Sequence, residues 1–131
     1  MPIANKVELV YPELSYKIVG VLFAVSNELG FGHRESTVQQ AVSQALRNAD
    51  ISFIEQEPAE LRIAGEVVKR YRLDFLIEHK LILELKSKER FDRQDVAQVY
   101  DYLKGHKLRL GILANFGRRG VKFKRILCKI D

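Results

Sequence analysis

The chain has 131 residues, 47% apolar and 30% charged, with a formal charge of +5 at pH 7 and a single cysteine, Cys128. That size and apolar fraction suit one domain over residues 1–131, with 1–12 as an N-terminal extension, and the positive balance favours polyanionic partners. One cysteine excludes an internal disulfide and a Cys-rich zinc site. With no signal-peptide pattern and no apolar stretch near the roughly 18 residues of a membrane span, the expectation is a soluble, cytoplasmic protein with no membrane partner.

The first element follows Pro12, where Leu14, Ile18, Val21, Leu22, Val25 and Leu29 recur at helical spacing and Gly30 is a stop signal. Val19 and Phe23 lie off that stripe and suggest a dimer face or a deeply buried helix. After GFGHRE, a second helix is expected from about Glu35 to Asn48, with Val38, Ala41, Val42, Ala45 and Leu46 on one side. ISFIEQE, AELRIAGEVVKRYRLDFLIE with its Gly65 turn, and LILELKS then read as three or four strands of an antiparallel meander. Helical spacing returns from Asp92 to Lys104 through Val96, Val99, Tyr100 and Leu103, with Gly105 closing the segment. LRLGILANF reads as a buried strand. Beyond the basic loop GRRG, VKFKRILCKI is a final strand with Lys122 and Lys124 on one side and Cys128 as an apolar filler near its end. The order implies an α/β domain with a central mixed sheet flanked by helices.

Three charges interrupt the apolar segment YRLDFLIEHKLILELKSKE: Asp74, Glu84 and Lys86. Alternation in a strand places Glu84 and Lys86 on one face and Leu83 and Leu85 on the other. Asp74 falls opposite Glu84 only if the connection holds an odd number of residues, such as Glu78, His79 and Lys80. In that register the two carboxylates repel each other, and a hard divalent cation between them, Mg²⁺ above all, converts repulsion into a binding site. An ammonium alongside, Lys86, can orient a metal-bound water or balance charge on an attacked phosphate. The ordinary alternative pairs Lys86 with Glu84 or sends it to solvent.

Asp95, Gln98 and Tyr102 form a polar stripe on the third helix. Arg118, Arg119, Lys122, Lys124, Arg125 and Lys129 follow one another with no acid between them, and Lys88, Arg90 and Arg93 extend the positive rim. A phosphate-tracking surface and a lysine-protected sheet edge both account for them. No base-reading module and no aromatic ladder for single-strand stacking stands out.

The blocks LSYKIVGVLFAVSNELGFGHRESTV, YRLDFLIEHKLILELKS, AQVYDYL and GILANFG, spread from Leu14 to Leu127, resemble the small GxxExxY proteins of the PD-(D/E)XK nuclease-like superfamily. The resemblance implies a restriction-endonuclease-like αβββαβ core. It matches Asp74 to the metal-binding aspartate, Glu84 and Lys86 to the ExK pair, Glu35 to the glutamate of GxxExxY as a further metal ligand or water-holder, and Gln98 and Tyr102 to the helix motif. Val38 stands where the motif ends in tyrosine, and Leu73 where the superfamily often has proline. The implied function is a Mg²⁺- or Mn²⁺-dependent nuclease acting on DNA, structured or branched, in repair or recombination. Asp74, Glu84, Lys86, Glu35 and Gln98 would form the catalytic set, the first two and Glu35 holding metal. Lys88, Arg93, Arg118, Arg119, Lys122 and Lys124 would meet nucleic acid, and superfamily analogy adds a homodimer. The competing reading is a non-catalytic nucleic-acid-binding or assembly protein that retains the fold.

Overall fold

Five strands form one mixed sheet in the order β1-β2-β3-β4-β5 in the computed structural model, which describes residues 10–129. Two helices lead, α1 (Pro12–Leu29) and α2 (Glu35–Asn48), and their bounds are those the spacing predicts. They are followed by β1 (Phe53–Ile63), β2 (Glu66–Ile77), β3 (Leu81–Lys86), α3 (Arg93–His106), β4 (Leu110–Gly117) and β5 (Gly120–Leu127). Strands β1, β2 and β3 are the antiparallel meander. Only β3 and β4 run parallel, because α3 carries the chain across between them.

Ala64 (φ 52°) and Gly65 (φ 83°) form the two-residue β1–β2 turn, whose left-handed backbone matches the twist of the paired strands. Ile77 pairs with Leu81, so the β2–β3 connection is Glu78, His79 and Lys80, the odd spacing that sets Asp74 toward Glu84.

Alternation sorts the core into two layers. Phe75, Ile77, Leu81, Leu83, Leu85, Leu110, Ile112 and Ala114 pack against α1 and α2 through Ile18, Leu22, Val38, Val42 and Leu46. Leu73, Ile82, Leu113 and Ile126 pack against Val99, Tyr102 and Leu103 of α3. Gly111 lets α3 approach β4, since a Cβ there would lie 2.6 Å from Val99 Cγ1.

Three expectations are corrected. Gly105 does not end the third helix, which runs to His106 and closes at Lys107 with φ 55°. Tyr100 is not a core position: it is exposed, and Tyr102 is buried instead. Of the N-terminal stretch, Val10 is buried in the core and accepts a hydrogen bond from Arg125 Nη2 at 2.7 Å, and Pro12 is already helical. Residues 1–9 and 130–131 lie outside the described residues, so the rest of that extension and the end of the expected last strand do too. No helix among the described residues is long and apolar enough to cross a membrane.

Candidate active site

Asp74 stands where β2 leaves both of its neighbours. The β2–β3 ladder stops at Phe75 opposite Leu83, and on the other side β1 pairs Glu55 with Phe75 and Glu57 with Leu73 but leaves Gln56 and Asp74 unpaired. Gln56 has φ 53°, and the strands turn over there. Phe75 packs toward α1 and α2, whereas Leu73, two residues away, packs toward α3. Backbone groups released from a ladder need other partners. Leu85 N–H donates to Asp74 Oδ2 at 2.9 Å, and Asp74 N–H donates to Glu84 Oε1 at 3.3 Å. Gln39 Nε2 of α2 donates to the Asp74 carbonyl at 3.2 Å, and Gln56 Nε2 donates to Asp74 Oδ1 at 3.3 Å. Side chains thus replace the missing ladder bonds, and the exchange draws Asp74 and Glu84 together.

Glu84 is 6% exposed. Burial, then the negative charge of Asp74, pushes its carboxyl up to about 8. Burial also raises Asp74, against the Leu85 N–H bond, which lowers it. Lys86 lowers both carboxyls through its charge, yet it takes part in none of the ion pairs among the described residues. The pairing of Lys86 with Glu84 that would make these residues ordinary is therefore not formed.

The pair is short of positive charge. Oxygen-donor groups, one buried (Glu84) and one half-buried (Asp74), suit a hard divalent cation better than a soft one, so Asp74 and Glu84 fit such an ion. Among the described residues no three His, Cys, Asp or Glu side chains gather as a metal site. Glu35 is the exposed first residue of α2 and acts on Glu84 through space, its charge raising that carboxyl further. Its loop is tied to the end of β3 by Ser87 Oγ, which donates to the His33 carbonyl at 2.7 Å.

Beyond Lys86 the backbone is clamped. Buried Asn115, opposite Lys86 on β4, accepts from Lys88 N–H at 3.1 Å and donates to the Lys88 carbonyl at 2.9 Å. A Cβ at Gly117 would lie 3.3 Å from the Glu89 carbonyl, so glycine lets this segment pass close to β4. Lys88 Nζ reaches Asp95 at 2.6 Å. Asp95 and Asp92 form a reciprocal capping box at the start of α3, which accounts for a buried acid there.

Gln98 is half-buried and lines a cavity of about 270 Å³ between α3 and the β1–β2 ribbon, with Asp95, Tyr71 and Tyr102. The two tyrosine rings stack at 4.0 Å between centroids. Burial raises both phenols, and the charge of Glu84 adds to the effect. The basic residues divide. Arg118 is bound to Glu89 at 2.8 Å and lies over the Phe31 ring, and Lys88 is held by Asp95. Arg93, Arg119, Lys122 and Lys124 are exposed and belong to none of the ion pairs among the described residues.

Gln39, Gln56, Tyr71 and Asn115 support the site without having been singled out in the sequence. Only Asn115 carries a readable signal, a lone amide in the apolar strand LRLGILANF.

A family model described as the PD-(D/E)XK nuclease superfamily matches residues 12–126. The crystal structure of SSO0001 resembles this chain with a TM-score of 0.58 and 19% sequence identity, over 92% of this chain and 60% of that one. The chain thus spans less than two thirds of that protein, and at this identity the likeness concerns the fold. No curated protein matches.

Proposed function

Because this chain belongs to the PD-(D/E)XK nuclease superfamily, we propose that it is a divalent-metal-dependent phosphodiesterase that cleaves DNA in repair or recombination. The observation that carries the reading is the exchange of hydrogen bonds between Asp74 and the Glu84 side chain and Leu85 backbone, which brings together, at a break in the sheet, two carboxyl groups with no ion-pair partner among the described residues. Within the superfamily the reading places the chain in the GxxExxY branch, on GHRESTV.

Asp74 and Glu84 would hold the ion, Mg²⁺ or Mn²⁺, with Glu35 as an additional ligand or water-holder. When bound, the ion would offset charge on the attacked phosphate and acidify a water. Lys86, two residues along β3 from Glu84 and without a carboxylate partner, orients that water or balances the phosphate. Gln98 steadies a phosphate or the Lys86 ammonium from α3. Arg93, Arg119, Lys122 and Lys124 track the strand's phosphates, whereas Lys88 and Arg118 exchange an existing carboxylate for them. The homodimer belongs to the same reading: α1 leaves Tyr16 and Phe23 exposed, and light scattering that returns the mass of one protomer removes it.

The test is cleavage of duplex, single-stranded, flap and four-way DNA in Mg²⁺ or Mn²⁺. Asp74→Asn is expected to lower the rate by about 100-fold or more while the protein stays folded, and Lys86→Ala by a similar factor. Undiminished cleavage by Asp74→Asn ends the proposal. Salt-dependent DNA binding by the unaltered protein, with no cleavage in either metal, replaces it with a non-catalytic binding role.

A further inference from the structure

Between α3 and β5 lies an open cavity of about 800 Å³, lined by Phe91, Tyr100 and Ile126 and by Arg90, Arg93 and Lys124. Its aromatic residues are nine positions apart in sequence, which is why no ladder is visible there. Tyr100 is 41% exposed, a large apolar surface for a helix to leave uncovered. The three cations take part in no ion pair among the described residues. Two acids also line the cavity and oppose the cations: Asp92, which caps α3 and lies 3.9 Å from Lys88 Nζ, and Asp101.

An apolar, aromatic floor beneath unpaired cations complements a ligand that is flat on one side and anionic on the other. A bare phosphate would leave the floor unused, and a base inside a duplex keeps its faces against its neighbours. We infer that this cavity takes an unpaired nucleotide of the substrate strand, with its base on Tyr100 and Phe91 and its phosphates on Arg93, Lys124 and Arg90. The inference rests on the nucleic-acid reading above and deepens it: the substrate carries a single-stranded segment.

Binding measured in EDTA separates this from cleavage. Fluorescence anisotropy would compare a labelled 12-nucleotide thymidine strand, an abasic strand of the same length and a 12-base-pair duplex, each over a range of salt. The thymidine strand should bind about tenfold better than the abasic one, and Tyr100→Ala should remove that preference with the salt slope unchanged. Tyr100→Phe should retain it. Lys124→Ala should reduce the slope for the strand by about 0.7. Binding of the thymidine strand by Tyr100→Ala within twofold of the unaltered protein overturns the inference, as does equal weakening of strand, abasic strand and duplex. If these differences appear without metal-dependent cleavage, the nuclease reading falls and the nucleotide site stands. Cleavage together with an indifferent Tyr100→Ala gives the reverse.

Discussion

On its α1–α2 side the sheet buries an apolar layer of Phe75, Leu83, Leu85, Ile112 and Ala114 against Ile18, Leu22 and Val42. On its α3 side a smaller apolar layer shares its space with Glu84, Asn115, Tyr71 and Tyr102, and the two buried acids of the described chain, Glu84 and Asp95, both lie there. The first side holds β2, β3 and β4 in register without regard to charge. That register decides which side chains the second side must bring together, so Asp74 and Glu84 are held close because packing elsewhere fixes the strands, and Glu84 responds by holding its proton.

Substitutions on each side can break or sharpen this contrast. The largest loss of stability is expected on the apolar side: Leu83→Ala should cost about 2–5 kcal/mol in denaturant unfolding. A cost below about 1 kcal/mol would mean that this layer does not set the register.

On the other side the effect should depend on pH. Glu84 keeps its proton up to about 8 in the folded chain against an ordinary value of 4.5, so the folded state binds more protons than the unfolded state between those limits. Its contribution is complete below about 4.5 and is lost as pH rises through about 8, by an amount on the order of a few kcal/mol. Melting in EDTA should show that fall. Glu84→Gln should flatten it while abolishing cleavage, and an unchanged slope in that variant would place the titration elsewhere.

Gly111→Ala tests how tightly α3 is seated. A methyl 2.6 Å from Val99 must displace the helix or the strand, at about 1–3 kcal/mol, with Leu83 unaffected. A neutral result would show that α3 has room to shift. The smallest effect is expected at Tyr71, whose buried hydroxyl has no hydrogen-bond partner among the described residues. Tyr71→Phe should change stability by less than about 1 kcal/mol, and a loss of more than about 2 kcal/mol would reveal a partner for that oxygen.

The bounds of α1 and α2, the meander and the odd-length turn were legible because apolar period and turn spacing are local properties. That Glu84 and Lys86 share a face of β3 was legible on the same ground. The turning over of β1 at Gln56 and of β2 at Asp74 was not: strict alternation puts Leu73 and Phe75 on one face, and only the non-local amides of Gln39 and Gln56 disclose that β2 turns between them. Gly105 misled because glycine is a common stop signal, yet here Lys107 adopts the left-handed conformation that ends the helix. The carboxylate partners of Lys88 and Arg118 were hidden in the same way, because a run of basic residues does not reveal which of them folding will neutralise.

The stacked rings of Tyr71 and Tyr102 have a spectroscopic consequence. The chain contains no tryptophan and five tyrosines, so no indole emission masks the phenols, and two of the five form one close pair beside Glu84. Near-ultraviolet dichroism and tyrosine fluorescence therefore give an unlabelled signal that includes the neighbourhood of the acids. Titrating an ion or a strand into the protein can be followed by its own optical properties.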